Sequence, residues 1–120
     1  EDAVAKRFET LPDKGVIYLV RPRTDRDYIA PVLLNDQMVG STFRGTFLRF
    51  EVPPGLHRLR GMASDNGSVT LDMKQGEIYF VQHNAFGHRG SFINSTYQVV
   101  DASRGRSLVM DGQMAGLITR

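Results

Sequence analysis

Apolar and polar side chains alternate with a period of two over much of the chain, which places one set on each face of a strand. Leu48, Phe50 and Val52 alternate with Arg49 and Glu51. After Pro53-Pro54-Gly55-Leu56 the rhythm resumes, with His57, Leu59 and Gly61 on one face and Arg58 and Arg60 on the other. Read as a hairpin turning at 53–56, this predicts Val52 opposite His57, Phe50 opposite Leu59, Leu48 opposite Gly61 and Glu51 opposite Arg58. Pro53, Pro54 and Gly55 form the turn. His57 points inward beside it and is expected to tie it down through a ring hydrogen bond.

Other segments follow the same logic. Val16-Ile17-Tyr18-Leu19-Val20 and Glu77-Ile78-Tyr79-Phe80-Val81 are apolar on both faces and predict central strands. Val32-Leu33-Leu34 and Met38-Val39-Gly40 flank Asn35-Asp36, residues that tolerate the left-handed backbone of a tight turn. Val69, Leu71 and Met73 alternate with polar residues between turns at Ser64-Asp65-Asn66-Gly67 and Gln75-Gly76, and Thr96 to Val100 reads as the last strand. Asp101 then suits a helix N-cap, with Leu108 and Val109 as an apolar face and Gly112 as a stop. Gly105 weakens that helix by ~1 kcal/mol relative to alanine. The expectation is a mainly β, single-domain antiparallel β-sandwich of seven or eight strands, preceded by an arm over 1–14 and closed by a short C-terminal helix from about 101–112.

Composition narrows the functions open to such a domain. At 120 residues the chain is one domain, and with no cysteine it has no disulfide, thiolate nucleophile or zinc–thiolate site. Fifteen basic residues against thirteen acidic leave a net charge of +2. The arginines cluster only briefly, at 21–26 and 104–106, and Asp25, Asp27 and Asp101 dilute them, so no nucleic-acid partner is expected. No apolar run approaches the ~20 residues of a membrane-spanning helix. The chain opens on Glu1, which fits an upstream export signal or an ordinary trimmed end.

The chemistry-bearing residues form no recognised catalytic pattern. There is no Gly-x-Ser-x-Gly elbow, no phosphate-binding glycine loop and no His-Glu-x-x-His, so no catalytic residue, metal or cofactor is expected. His83 and His88 have a spacing that suits metal binding on a helix, but they fall where a strand runs into a loop, so a metal-dependent hydrolase built on them is the less favoured alternative. Arg49 and Arg60 oppose each other in the hairpin register. Either Asp72 neutralises that face, or the pair forms an anion site for an acidic glycan or similar small ligand. The loop from Asn84 to Ser95 carries Phe86, His88, Arg89 and Phe92 between glycines, a recognition surface unless its aromatics pin it to the core. Asn66-Gly67-Ser68 and Asn94-Ser95-Thr96 match the glycosylation triplet, one that arises often by chance.

One order of motifs carries a resemblance. Gly-x-Ile-Tyr-x-x-Arg-Pro (15–22), Val39-Gly40, Gly45-Thr46-Phe47, Val-Pro-Pro-Gly-x-His (52–57) and Gly76-Glu77-x-Tyr79-Phe80 resemble a family of small exported bacterial proteins, many of them lipoproteins, that carry a domain of unknown function. The middle section is also similar to the PEGA repeat, a short β-module of bacterial surface proteins. The match spans roughly residues 5 to 112, and Asn35-Asp36 stands where an Asp-Gly turn is usual. The resemblance implies a β-sandwich in the cell envelope, and the expected setting is the periplasm or the outer membrane, either free or tethered through an upstream lipid anchor. Its partner would be another envelope protein or a cell-wall component. It supplies no catalytic residue.

Overall fold

Strand β1 (Gly15–Val20) is buried along its whole length, because it lies at the centre of a sheet covered on both faces. The computed structural model describes residues 2–62, 67–87 and 94–117. Helix α1 (Asp2–Ala5) precedes β1, and β2 (Ala30–Leu34), β3 (Gln37–Thr42), β4 (Thr46–Val52), β5 (Gly55–Arg60), β6 (Ser68–Met73), β7 (Ile78–Phe86) and β8 (Asn94–Val100) follow it. Helix α2 (Ala102–Met110) and the short β9 (Gln113–Met114) complete the order. One sheet runs β8-β7-β1-β4-β9 and the other β3-β2-β5-β6.

The period-two alternation builds the two cores. Ile17, Leu19, Leu48, Phe50, Val52 and Val81 project from the first sheet onto Val32, Leu59, Leu71 and Met73 of the second. The opposite face of the first sheet presents Val16, Tyr18, Val20, Phe47 and Phe80 to Ala5 and Val109, with Phe8, Leu11 and Leu108 packed at the margin. The N-terminal arm is thus a packed layer rather than a loose extension. The Phe8 ring lies tilted 5.3 Å from Tyr18 and edge-on 5.8 Å from Phe80, and the Tyr18 hydroxyl donates to the Ala5 carbonyl at 2.6 Å.

The mainly β sandwich with its short C-terminal helix is what the chain forms, with nine strands among the described residues. It is not wholly antiparallel: β1 pairs parallel with β7, and β4 parallel with β9. Both parallel pairs lie in the sheet covered on two faces, where parallel strands are normally found. The two-residue β9 carries too little pattern to be read from sequence.

The Pro-Pro-Gly segment is not a hairpin. Strand β4 pairs with β1, setting Val52 against Gly15 and Phe50 against Ile17. Strand β5 pairs with β6 in the other sheet, setting Arg58 against Thr70 and Leu59 against Val69. Residues 53–54 therefore carry the chain from one sheet to the other. The inward set survives, since Leu48, Phe50, Val52, His57, Leu59 and Gly61 are all buried. Alternation specifies which face is apolar, and both a hairpin and a crossing between facing sheets satisfy it.

The β2–β3 turn fits its sequence closely, with φ of 50° at Asn35 and 67° at Asp36. Positive φ at both central residues matches the twist of a two-residue hairpin. Helix α2 is capped as expected, the Asp101 side chain accepting from the Arg104 N–H at 2.8 Å. Gly105 proves to be a packing requirement, because a Cβ there would lie 2.2 Å from Phe80 Cγ.

Candidate functional site

A polar cluster closes one end of the sandwich, and it begins where β1 stops. Arg21 directly follows Val20 and is fully buried. Its Nε donates to Asp25 Oδ2 at 2.7 Å, its Nη2 to the Arg26 carbonyl at 2.7 Å, and its Nη1 to the Thr42 carbonyl and Oγ1 at 3.2 Å each. A buried charge requires this degree of pairing. Asp25 Oδ2 also accepts from the Ala85 N–H at 3.0 Å. Strand β1 ends level with Gln82, so the carboxylate takes the place of its next residues alongside β7. Burial alone would raise the Asp25 carboxyl. The N–H groups of Ala85 and Arg26, the Asn84 side chain and Arg21 together hold it below the usual value.

His83 lies between the sheets beside this pair. Its Nδ1 is 3.0 Å from Thr42 Oγ1, its Nε2 is 2.9 Å from Ser95 Oγ, and the Tyr97 ring stacks on it at 4.5 Å. Arg21 can only donate to Thr42, which leaves the threonine proton available to Nδ1 and favours the tautomer with the imidazole proton on Nε2. Nε2 then donates to Ser95. A general base would need the opposite arrangement, a lone pair facing the serine. Burial, reinforced by Arg21 and opposed by Asp25, drives the His83 pKa down to about 3. This Ser–His contact is a stitch between strands. The buried Tyr97 hydroxyl lies in the same region, and burial pushes its pKa upward against the opposing pull of Ser95 and Arg21.

A second, smaller lock secures the 53–54 crossing between the sheets. His57 Nε2 is 2.8 Å from the Pro53 carbonyl, an acceptor only, so this nitrogen carries the proton. Nδ1 then accepts from Asn35 Nδ2 at 2.9 Å, while Asn35 Oδ1 accepts the Arg58 N–H at 2.9 Å. The ring hydrogen bond expected of His57 is present, and it reaches the β2–β3 turn as well.

The paired-arginine anion site does not form. Arg49 lies in the five-stranded sheet, on the face carrying Tyr18, with Nη1 2.7 Å from Glu51 Oε2. Arg60 lies in the four-stranded sheet, alternating with the inward Leu59, with Nε 2.8 Å from Asp36 Oδ1. The two side chains leave opposite faces of the sandwich, so one small ligand cannot touch both. Asp72 is also not the neutralising partner, being bound to Lys74 at 3.1 Å. Phe86 ends β7 half-buried, and His88, Arg89 and Phe92 lie outside the described residues, as does Asn66. Among the described residues, no three His, Asp or Glu side chains gather as a metal-binding group.

Sequence reading missed Arg21, Asp25, Thr42, Ser95 and Tyr97 as a unit. Two signals were available: an arginine directly after five apolar residues with an aspartate four positions on, and His83 in step with Val81 and Ala85. No known protein family matches the chain, and no curated protein is significantly similar to it.

Proposed function

We propose that this domain is a non-catalytic structural or protein-interaction module of the bacterial cell envelope, and that it engages an extended segment of a partner protein along strand β8. The observation that carries the reading is the chemistry of that edge. β8 ends the five-stranded sheet, and Asn94–Val100 contains no charge, proline or glycine. Ser95 gives its carbonyl to the Gly67 N–H at 2.9 Å on the side away from β7, so the N–H and C=O of Tyr97 and Val99 face that same side, where no described residue pairs with them. Natural edge strands normally carry a charge, a proline or a bulge that blocks pairing. Here β6 carries Asp72, and β3 pairs with a bulged β2. Val99 is 47% exposed beside the free edge. An uncharged, extended segment is the occupant this edge suits, through β-augmentation.

The envelope setting rests on the resemblance of the 15–22 and 52–57 motifs. A displayed library of random heptapeptides, selected against the domain, tests the edge. Enriched peptides should be uncharged, should slow amide exchange at Tyr97 and Val99, and should lose binding to Val99→Lys. Peptides indifferent to that substitution would overturn the reading. So would a concentration-dependent dimer that protects the same amides, because a second copy would then be the occupant. Fractionating cells that make the full-length gene product tests the setting, and recovery in the cytosol would sink it.

A further inference from the structure

Two arginines line one groove at the β9 edge of the five-stranded sheet. The groove encloses about 490 Å³ and is lined by Arg23, Phe43, Arg44, Gly45, Thr46 and Gln113. That volume falls within the range of roughly 300–1,000 Å³ typical of small-molecule sites. Arg7, Arg21, Arg49, Arg58 and Arg60 each have a carboxylate within 4.0 Å. Arg23 and Arg44, like Arg26, Arg104 and Arg106, have none among the described residues. Arg23 gives one N–H to the Asp111 carbonyl at 3.1 Å, and Arg44 lies 5.7 Å from the centre of the Phe43 ring. A guanidinium carries five N–H donors, so most remain free in both.

The groove is already built. Three segments distant in sequence meet there through backbone bonds, with Gly45 N donating to the Arg21 carbonyl and the Gly45 carbonyl accepting from Gln113 N. The Phe43 N–H donates to Thr46 Oγ1 at 3.0 Å, and that hydroxyl donates to the Phe43 carbonyl at 2.7 Å, which closes the turn. Gly45 has a φ of 76°, and a Cβ there would lie 3.2 Å from Arg23 Cγ. Glycine thus lets the arginine stem lie across the turn. A site fixed in advance spends little of its binding energy on ordering.

From this arrangement we infer that the groove binds an acidic sugar, its carboxylate held by Arg23 and Arg44. The guanidinium fork matches a carboxylate in plane and spacing. Phe43, 37% exposed, offers an aromatic edge to the sugar ring, and the exposed Gln113 amide can both donate to and accept from hydroxyls. A bare anion would use neither. This site is separate from the β8 edge and does not depend on it.

The test is an NMR titration of the isotopically labelled domain with D-glucuronate, inorganic phosphate and the neutral methyl glucoside. Glucuronate should shift the amides of Phe43 to Thr46 and Gln113, more weakly as salt is added. Arg23→Gln and Arg44→Gln should each weaken binding by about tenfold or more, since a charge-assisted hydrogen bond is lost. Arg26→Gln, outside the groove, should leave it unchanged, and unaltered signals elsewhere would show that each variant is folded. Binding that survives both groove substitutions, or an absence of shifts, would overturn the proposal. Phosphate binding as tightly as glucuronate would also overturn it, by reducing the site to an oxoanion contact.

Discussion

Acidification should strike this fold through His83. In the folded protein its pKa is about 3, against about 6.5 in a solvated chain. The unfolded state therefore takes up a proton over a range where the folded state refuses it. Stability is highest above the unfolded value and is lost as pH falls toward the folded one. Each pH unit within that window costs up to about 1.4 kcal/mol, so moving from pH 7 to 4.5 removes about 2–3 kcal/mol. That is a large fraction of the ~5–15 kcal/mol typical of a whole domain. Urea unfolding at a series of pH values measures the loss, and His83→Gln isolates it, because the amide does not titrate. Asp25 is held below the usual carboxylate range and serves as the native partner of Arg21 in both proteins, so it cancels in the comparison. The stability gap between wild type and variant should shrink by about 2–3 kcal/mol over this interval. Parallel pH profiles would refute the reasoning outright.

Three further substitutions probe the packing. Gly105→Ala would gain ~1 kcal/mol on helix propensity alone, yet the Phe80 contact should make it destabilising by about 1–3 kcal/mol; a melting temperature above wild type would contradict the docking of α2. Asp25→Ala strands the buried Arg21 guanidinium and should cost about 3–5 kcal/mol in urea unfolding. Adding Arg21→Met to Asp25→Ala should recover part of that loss, and a double variant worse than the single one would show that the charge is not the cause. His57→Phe removes the ring partner of the solvent-accessible Pro53 carbonyl and Asn35 amide, for an expected cost of about 0.5–1.5 kcal/mol. If its unfolding midpoint matches wild type, the 53–54 crossing does not depend on that ring.

What the sequence made legible follows from what local pattern encodes. Period two fixed the inward faces of β4 and β5, and the continuous apolar run marked β1 as central. Partner choice is another matter. Phe50 meets Ile17 rather than Leu59 because the Pro-Pro-Gly segment crosses between sheets, and a side-chain alternation cannot distinguish these. The anion pair Arg49–Arg60 failed for the same reason, since it inherited the hairpin register. Asp101 and Asn35-Asp36 were readable because capping and left-handed turns are decided within a few residues. The Arg21–Asp25–His83 cluster was not, because it joins β1, β3, β7 and β8 and exists only after the sheets close. The Arg23–Arg44 groove likewise depends on residues 23, 44 and 113 arriving together.

The order in which the five-stranded sheet can assemble on a growing polypeptide is fixed by its pairing. Val16 waits for Ile78, Thr46 waits for Gln113, and the face carrying Tyr18 and Phe80 is not roofed until Val109 has been made. Loop closure over such separations is slow compared with local pairing. A ribosome-bound chain of this domain therefore keeps the part of that apolar face beneath α2 uncovered until Val109 emerges, the N-terminal arm covering only the rest. Chaperone dependence should fall sharply once β9 clears the exit tunnel.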